Sequence, residues 1–207
     1  MPDTRIPTIE TERLVLRGST SGDVEPWATL LDDADVLRYL PKVSQPIPER
    51  AALHIQWCNA AWEEEPQTGV SWMIALKQSG ELIGRCGCGT PEGSNEAEVI
   101  YTLGKPYWGQ GYATEATRAL IRYSLEHFPW DPITACIFPE NIASRRVLEH
   151  LGFVYEKDVD YLELTGNTSY VMESPMVPLY VLPRDKFTPG NASYRLITDQ
   201  MLTNPIN

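Results

Sequence analysis

The sequence has few positive charges and no long apolar run. Its 207 residues include 17 Lys and Arg against 28 Asp and Glu, which gives a formal net charge of −11 at pH 7. A surface with this excess of negative charge repels the phosphate backbone of DNA and RNA at long range. Charges or prolines interrupt each apolar stretch well before the roughly 20 residues that a membrane-spanning helix needs. The composition therefore argues against nucleic-acid and membrane partners and predicts a soluble protein.

Motifs for metal binding and for secretion are also missing. The four cysteines and three histidines show neither CxxC nor HExxH spacing. Cys86 and Cys88 are the only close pair, and the neighbouring sequence supplies no further metal ligands. The first ten residues lack the apolar core of a signal peptide. We therefore expect reduced cysteines that pack as small apolar residues, no bound metal and a cytoplasmic location.

Hydrophobic periodicity predicts alternating strands and helices. The predicted strands span residues 12–17, 70–76, 81–89, 96–103, 133–138, 153–156 and 177–182. The predicted helices begin near residues 21 and 48 and span 111–128 and 141–151. We assign residues 1–187 to a single domain and 188–207 to a C-terminal tail. Residues 159–178 form a long insertion for which a pocket wall and a surface loop both stay open.

A glycine-rich segment lies between a predicted strand and the longest predicted helix. It begins at Tyr107 and continues as Trp-Gly-Gln-Gly-Tyr-Ala-Thr-Glu-Ala. Glycines let successive backbone N–H groups turn inward, and a helix start adds the positive end of its dipole, so such a loop suits a phosphate. A tight turn that binds nothing is the alternative, and the glycines alone do not separate the two.

Two other phosphate-binding motifs fit poorly. A Walker loop needs Gly-Lys followed by Ser or Thr, whereas Pro106 follows Lys105. A dinucleotide fingerprint needs a third glycine where Thr114 stands. Asp131 does lie at the spacing of a ribose-binding acid, about 20 residues downstream. A nucleotide-dependent oxidoreductase therefore stays open as an alternative.

Three motifs in this order resemble the GCN5-related N-acetyltransferase (GNAT) superfamily. They are Trp-Gly-Gln-Gly-Tyr-Ala-Thr-Glu-Ala at 108–116, Asn-Ile-Ala-Ser at 141–144 and Leu-Gly-Phe at 151–153. The segment Thr-Glu-Arg-Leu-Val-Leu-Arg at 11–17 is similar to the RimJ/RimL-like branch. The resemblance implies an α/β (α+β) fold with a mixed, mostly antiparallel central sheet that splays in a V and is flanked by helices. It also implies acetyl-CoA in the gap of that V.

The resemblance assigns roles to residues position by position. The loop whose amides hold the pyrophosphate corresponds to Gly109, Gln110, Gly111, Tyr112, Ala113 and Thr114. The splayed strand whose backbone pairs with pantetheine corresponds to the segment from Tyr101 to Leu103. Asn141 and Ser144 correspond to polar positions that face the thiol end of the cofactor.

Two positions depart from the family pattern. Trp108 stands where relatives often carry Gln or Arg, which leaves binding to the backbone amides of the loop. Leu148 stands where many relatives carry a tyrosine that protonates the departing thiolate. That proton must therefore come from another group or from solvent.

Acetyl transfer to an amine needs a neutral nucleophile, a polarised thioester carbonyl and a proton for the leaving thiolate. Glu98, at the start of the strand that leads to the cofactor, is the candidate proton acceptor, and an exposed strand carboxylate is the alternative. Ser144 is the candidate hydrogen-bond donor or proton relay for the thiol, and a helix-capping residue is the alternative. A backbone N–H group near Leu103 is the candidate hydrogen-bond donor that polarises the thioester carbonyl.

The sequence therefore predicts an acetyl-CoA-dependent N-acetyltransferase that moves the acetyl group directly to a primary amine. No metal and no covalent acetyl-enzyme are expected. The acceptor is a peptide N-terminus or a small-molecule amine, and the acidic composition favours a cationic one. A noncatalytic acyl-CoA-binding sensor stays open as a second alternative. The identity of the acceptor and the choice between monomer and homodimer also stay open.

Overall fold

A computed structural model of the chain describes residues 6–40, 42–60, 62, 68–90, 95–161, 176–190 and 193–197. Its strands are β1 (Thr8–Glu10), β2 (Leu14–Arg17), β3 (Gly69–Leu76), β4 (Leu82–Gly89), β5 (Ala97–Leu103), β6 (Ile133–Cys136), β7 (Val154–Asp160), β8 (Met176–Leu182) and β9 (Arg195–Ile197). They form one nine-stranded sheet in the order β7-β8-β6-β5-β4-β3-β2-β1-β9. Among the described strands only β5 and β6 pair in parallel, so the sheet is mixed and mostly antiparallel, as predicted.

Helices cover both faces of the sheet. They are α1 (Val24–Leu31), α2 (Ala34–Leu37), α3 (Ile47–Ala60), α4 (Tyr112–His127) and α5 (Ile142–Leu151). Trp72 and Met73 are neighbours on β3, are both fully buried and belong to different apolar cores, because successive strand residues point to opposite faces. The core around Met73 is shared with α1 and α3, and the core around Trp72 with α4 and α5. None of the helices in the described ranges has the length and apolar character needed to span a membrane.

Strands β3, β4 and β5 form the predicted antiparallel meander. Arg85 in its middle strand opposes Met73 on one side and Thr102 on the other. A Cβ atom at Gly84 would clash with the carbonyl oxygen of Thr102, which explains why this strand carries glycine there. The glycines of β4 thus mark a close approach between backbones.

The sheet opens between β5 and β6. These strands pair only through Ala97 with Ile133 and Glu98 with Thr134. Beyond Glu98 the two strands diverge, and β5 continues for five residues without a partner from β6. The divergence forms the predicted V, and Glu98 lies at its apex.

Two short strands, β1 and β9, were not predicted, because three residues carry too little periodicity to be recognised. The first predicted helix extends to the polar and proline-containing segment at 41–48, whereas the structure divides it into α1 and α2, with the Asp33 side chain capping the start of α2. β9 lies in the segment assigned to the tail and pairs with β1 at the edge of the sheet. The boundary between domain and tail stays a prediction. Within the insertion at 159–178, residues 162–175 lie outside the described ranges, as does the end of the tail from 198 to 207.

Candidate active site

The glycine-rich segment forms a tight loop between β5 and α4. Gly109 has φ 73° and Gly111 has φ 81°, in the left-handed region that glycine adopts at the lowest cost. The indole N–H of Trp108 donates to the carbonyl oxygen of Leu103 at 2.8 Å, and the side-chain amide of Gln110 donates to the carbonyl oxygen of Pro106 at 2.9 Å. These bonds hold the loop against the end of β5. Trp108 therefore positions the loop although it cannot replace an arginine as an anion ligand.

A second set of hydrogen bonds joins the start of α4 to residues near the N-terminus of the chain. The Glu115 carboxylate accepts hydrogen bonds from the Thr11 hydroxyl at 2.6 Å, the Arg13 backbone N–H at 2.8 Å and the Arg13 Nε–H at 2.7 Å. Arg13 also donates to the Gln110 carbonyl oxygen at 2.8 Å and lies over the Tyr112 ring. The Thr-Glu-Arg segment near the N-terminus thus holds the glycine-rich loop in place.

The loop, β5, α4 and α5 enclose a cleft of about 700 Å³, which we call the loop cleft. The predicted site residues that line it are Tyr101, Leu103, Gly109, Gly111, Tyr112, Ala113, Thr114, Asn141 and Ser144. Gln110 is not among them, because its side chain turns back to Pro106. Arg118, Arg146 and His150 bring basic side chains to the same cleft.

A smaller cavity of about 360 Å³ lies at the apex of the V, and we call it the apex pocket. Its polar and aromatic lining includes Arg50, His54, Trp57, Arg85, Glu98 and Cys136. Six residues line both the apex pocket and the loop cleft, namely Tyr39, Leu40, Tyr101, Thr102, Asn141 and Ser144. The two spaces therefore adjoin along these residues, and the structure brings the predicted catalytic residues Glu98 and Ser144 to the wall of the same pocket.

The junction is organised by a hydrogen-bonded pair. The Ser144 hydroxyl donates to the phenolic oxygen of Tyr101 at 2.9 Å, and the Tyr101 hydroxyl donates to the Ser144 carbonyl oxygen at 3.2 Å. Asn141 caps α5 by accepting the Ser144 backbone N–H at 3.0 Å. Capping is thus the role of Asn141, and the Ser144 hydroxyl faces the junction.

Burial changes the acidity of the groups around the apex. Loss of solvent raises the pKa of the Glu98 carboxyl, and a hydrogen bond from the Cys136 backbone opposes this shift in part. Burial, reinforced by the charge of Glu98, raises the pKa of the Cys136 thiol to about 12. Burial likewise raises the pKa of Tyr101 to about 12, against a smaller opposing effect of the Ser144 hydrogen bond. At neutral pH Cys136 and Tyr101 are therefore protonated.

Several functional candidates had no local signal in the sequence. Tyr101 was expected to act through its backbone, but its side chain reaches Ser144, which lies 43 residues later. Leu148 lies buried in the wall of the apex pocket and carries no proton-donating group, so this position supplies no acid to the site. Arg85 and His54 belong to a strand and a helix whose patterns look ordinary in the sequence. Only the folded chain brings them to the pocket.

The splayed sheet and the glycine-rich loop at a helix start agree with the fold that the family resemblance implies. The family model described as "Acetyltransferase (GNAT) domain" matches residues 13–154. The chain belongs to this family and is an acetyltransferase, which confirms the family resemblance predicted from the loop and helix motifs.

Similar proteins agree with this placement. An uncharacterized N-acetyltransferase p20 from Bacillus licheniformis is 33% identical over 150 residues, which cover 72% of this chain and 83% of that protein. The structure of a putative ribosomal-protein-serine acetyltransferase from Vibrio cholerae has a TM-score of 0.70 at 21% identity and covers 85% of this chain and 97% of that one. Mycobacterium smegmatis RimJ in complex with CoA-disulfide has a TM-score of 0.70 at 22% identity and covers 87% of this chain and 90% of that one.

The Glu115 contacts predict a measurable contribution to stability. Glu115→Gln keeps the shape of the side chain but removes the charge that binds Arg13, and we expect it to lower the free energy of unfolding by about 1.5–3 kcal/mol. Glu126→Gln is the matched control, because Glu126 pairs with Arg122 on the exposed surface of the same helix. That change should cost at most about 0.5 kcal/mol in urea-induced unfolding. Equal losses for the two variants would contradict the proposed role of Glu115.

Proposed function

We propose that this acetyltransferase is acetyl-CoA-dependent and moves the acetyl group directly to a primary amine, at a peptide N-terminus or on a small molecule. The observation that carries the proposal is the meeting of two spaces at Tyr101 and Ser144, with Glu98 at the apex of the V. The loop cleft has the glycine-rich loop and basic side chains that suit phosphate groups, and the apex pocket holds the Glu98 carboxyl, whose pKa is raised. A donor and an acceptor can therefore enter from two sides and meet at one point.

The loop cleft fits coenzyme A by its chemistry. Backbone amides of residues 109–114 and the start of α4 favour the pyrophosphate. Arg118 and Arg146 supply positive charge at the same cleft for further phosphate groups. The edge of β5 beyond Glu98 offers backbone groups to the amides of the pantetheine arm. The complex of RimJ with CoA-disulfide supports this assignment.

Glu98 is the proposed proton acceptor. An amine is protonated in neutral solution and becomes a nucleophile only after it loses a proton. A carboxylate with a raised pKa is a stronger base than an exposed one, so the buried position of Glu98 favours this transfer, directly or through one water. Glu98 then holds the proton while the nitrogen attacks.

Tyr101 is the proposed hydrogen-bond donor to the departing sulfur, with Ser144 as its positioning residue. When bound, acetyl-CoA supplies a thioester whose acetyl group passes to the amine as a C–N bond forms and the C–S bond breaks. The phenol of Tyr101 stays protonated at neutral pH and lies at the junction, where the negative charge of the thiolate develops. Ser144 holds the phenolic oxygen at 2.9 Å. The single O–H of Tyr101 turns from the Ser144 carbonyl oxygen to the sulfur as negative charge develops there. Tyr101 thus provides the proton-donating group that the leucine at position 148 lacks.

Direct transfer agrees with the state of the cysteines. Cys136 is the only cysteine among the described residues that line the apex pocket. Its raised pKa of about 12 keeps the thiol protonated, whereas a thiolate is the nucleophile in acetyl-cysteine formation. The pocket therefore supports attack by the amine itself, without a covalent acetyl-enzyme.

The binding site is tested by a matched pair of glycine variants. Gly109 and Gly80 have φ values of 73° and 75°, and a Cβ atom at either position would meet nothing within 4 Å. We expect Gly109→Ala and Gly80→Ala to lose similar stability, about 1–2 kcal/mol, from backbone strain alone. Calorimetric titration with acetyl-CoA should show weaker binding only for Gly109→Ala, since Gly80 lies in the β3–β4 turn. Tight binding of NAD and none of acetyl-CoA would overturn the proposal.

The base is tested by the pH dependence of kcat/KM. Glu98 must be deprotonated to act, and its pKa is raised, so the rate should fall on the acid side at a pH above the ordinary titration range of a glutamate. Glu98→Gln should lower kcat by roughly 100-fold and remove this acid limb, with acetyl-CoA affinity retained. Glu96→Gln, on an exposed residue outside both spaces, is the control. An unchanged rate for Glu98→Gln would exclude Glu98 from the mechanism.

The donor is tested with Tyr101→Phe, which removes only the hydroxyl. We expect kcat to fall by roughly 10- to 100-fold, because the developing thiolate loses a hydrogen bond, while calorimetric affinity for acetyl-CoA stays nearly constant. Tyr155→Phe is the control, because Tyr155 is exposed on β7 and outside both spaces. If both variants turn over at the wild-type rate, the thiolate is stabilised by another group.

A further inference from the structure

Arg85 is a charged side chain of the apex pocket that has no hydrogen-bond or ion-pair partner among the residues that the structure describes. It lies in the middle of β4, is mostly buried and lines the pocket. Its Nε atom is buried and has no hydrogen bond, and its guanidinium forms no hydrogen bond or ion pair with any residue that the structure describes. Burying a guanidinium without a counter-ion is costly, so a group that brings negative charge to it would be bound favourably.

Two further basic residues lie beside Arg85 in the apex pocket. Arg50 and His54 lie one turn apart on α3 and line the same pocket. The indole N–H of Trp27 donates to Nδ1 of His54 at 3.1 Å, so the imidazole is neutral and carries its proton on Nε2. Burial, together with the charges of Arg85 and Arg50, lowers the pKa of His54 to about 2. A neutral His54 leaves Arg85 as the cation of this wall that has no partner among the described residues.

Glu98 is the only acidic side chain among the described residues that line the pocket. Arg85 opposes Thr102 across the β4–β5 ladder, and residues 98, 100 and 102 alternate onto the same face of β5. Glu98 and Arg85 therefore face the same space from positions separated by four residues of strand, about 13 Å between backbones. The charge of Arg85 is not among the influences on the pKa of Glu98, which agrees with this separation.

We propose that the acceptor carries a carboxylate and that Arg85 binds it while the amine of the same molecule lies at Glu98. This inference rests on the proposed function, because it identifies the class of amine that the apex pocket selects. A guanidinium binds a carboxylate through two parallel N–H···O bonds, which fixes orientation as well as adding affinity. Trp57, exposed beside His54, offers an aromatic surface to the part of the acceptor between its two charges.

This local arrangement opposes the charge of the whole chain. The net charge of −11 led us to expect a cationic acceptor. Long-range potential affects the approach of a ligand, whereas buried charges at short distance determine which ligand is held. An acceptor with one ammonium and one carboxylate satisfies Glu98 and Arg85 together and is neutral overall.

The test uses acceptors in matched pairs that differ only in a carboxylate or its amide. The pairs are glycine and glycinamide, 4-aminobutyrate and 4-aminobutanamide, and a short peptide amide that begins with Asp or with Asn. Wild-type protein, Arg85→Gln and Arg85→Lys are assayed for thiol release with saturating acetyl-CoA. We expect wild type to prefer the carboxylate member of at least one pair by roughly tenfold or more in kcat/KM. The preferred pair shows whether the carboxylate comes from a free amino acid or from an acidic peptide.

Arg85→Gln should abolish this preference through a higher KM for the carboxylate acceptor, with the KM for acetyl-CoA unchanged. Arg85→Lys should keep part of the preference, because the charge remains but the two-pronged geometry is lost. Arg122→Gln is the control, since Arg122 pairs with Glu126 on the surface of α4. The preference is a ratio within each variant, so a smaller folded fraction does not change it. If Arg85→Gln does not fold, the partial loss in Arg85→Lys is the deciding measurement.

Two results overturn the inference. One is equal kcat/KM for carboxylate and amide in all pairs, and the other is a preference that Arg85→Gln or Arg85→Lys retains in full. Both leave acetylation itself intact. Failure of the proposed function is different, because no amine of either kind would then be acetylated.

Discussion

The short parallel pairing of β5 with β6 is the constraint on which the functional geometry depends. Two residue pairs hold these strands together, and beyond Glu98 they separate. A strand edge inside a protein exposes backbone N–H and C=O groups that need partners. The divergence therefore creates both a space and a row of polar groups that can bind a ligand. Because Glu98 occupies the last paired position, its carboxyl lies where that space begins.

Bonds between distant parts of the chain keep this open sheet in a defined shape. Glu115 receives three hydrogen bonds from residues that lie about one hundred positions earlier, and these hold the start of α4 and the loop beside it. The Tyr101–Ser144 pair joins β5 to α5 across the open end of the V. A site is effective when its groups are held in position before the ligand arrives. These contacts hold the glycine-rich loop, β5 and α5 in fixed positions around the two spaces.

Charge acts at two scales in this molecule. The excess of acidic residues over the whole chain opposes long polyanions, as composition indicates. Within the site, glycine amides, a helix start and the basic residues of the loop cleft present positive potential to a phosphate-bearing ligand. The apex pocket also contains basic residues although the chain as a whole is negative, since Arg50 and Arg85 lie beside a neutral His54. Total charge therefore indicates which large partners are disfavoured, but it does not identify what a buried pocket binds.

The sequence by itself determined the longer elements, because a meander of alternating apolar residues and an amphipathic helix such as α4 leave periodic patterns. It also determined the glycine-rich loop, whose residues are contiguous, and through its ordered motifs the family to which the chain belongs. Tertiary structure alone decided which side chains share a pocket. Tyr101 meets Ser144, and Arg85 shares a cavity with Glu98, because the strand register and the helix packing bring them together. Such contacts depend on distances in space that no local pattern of residues records.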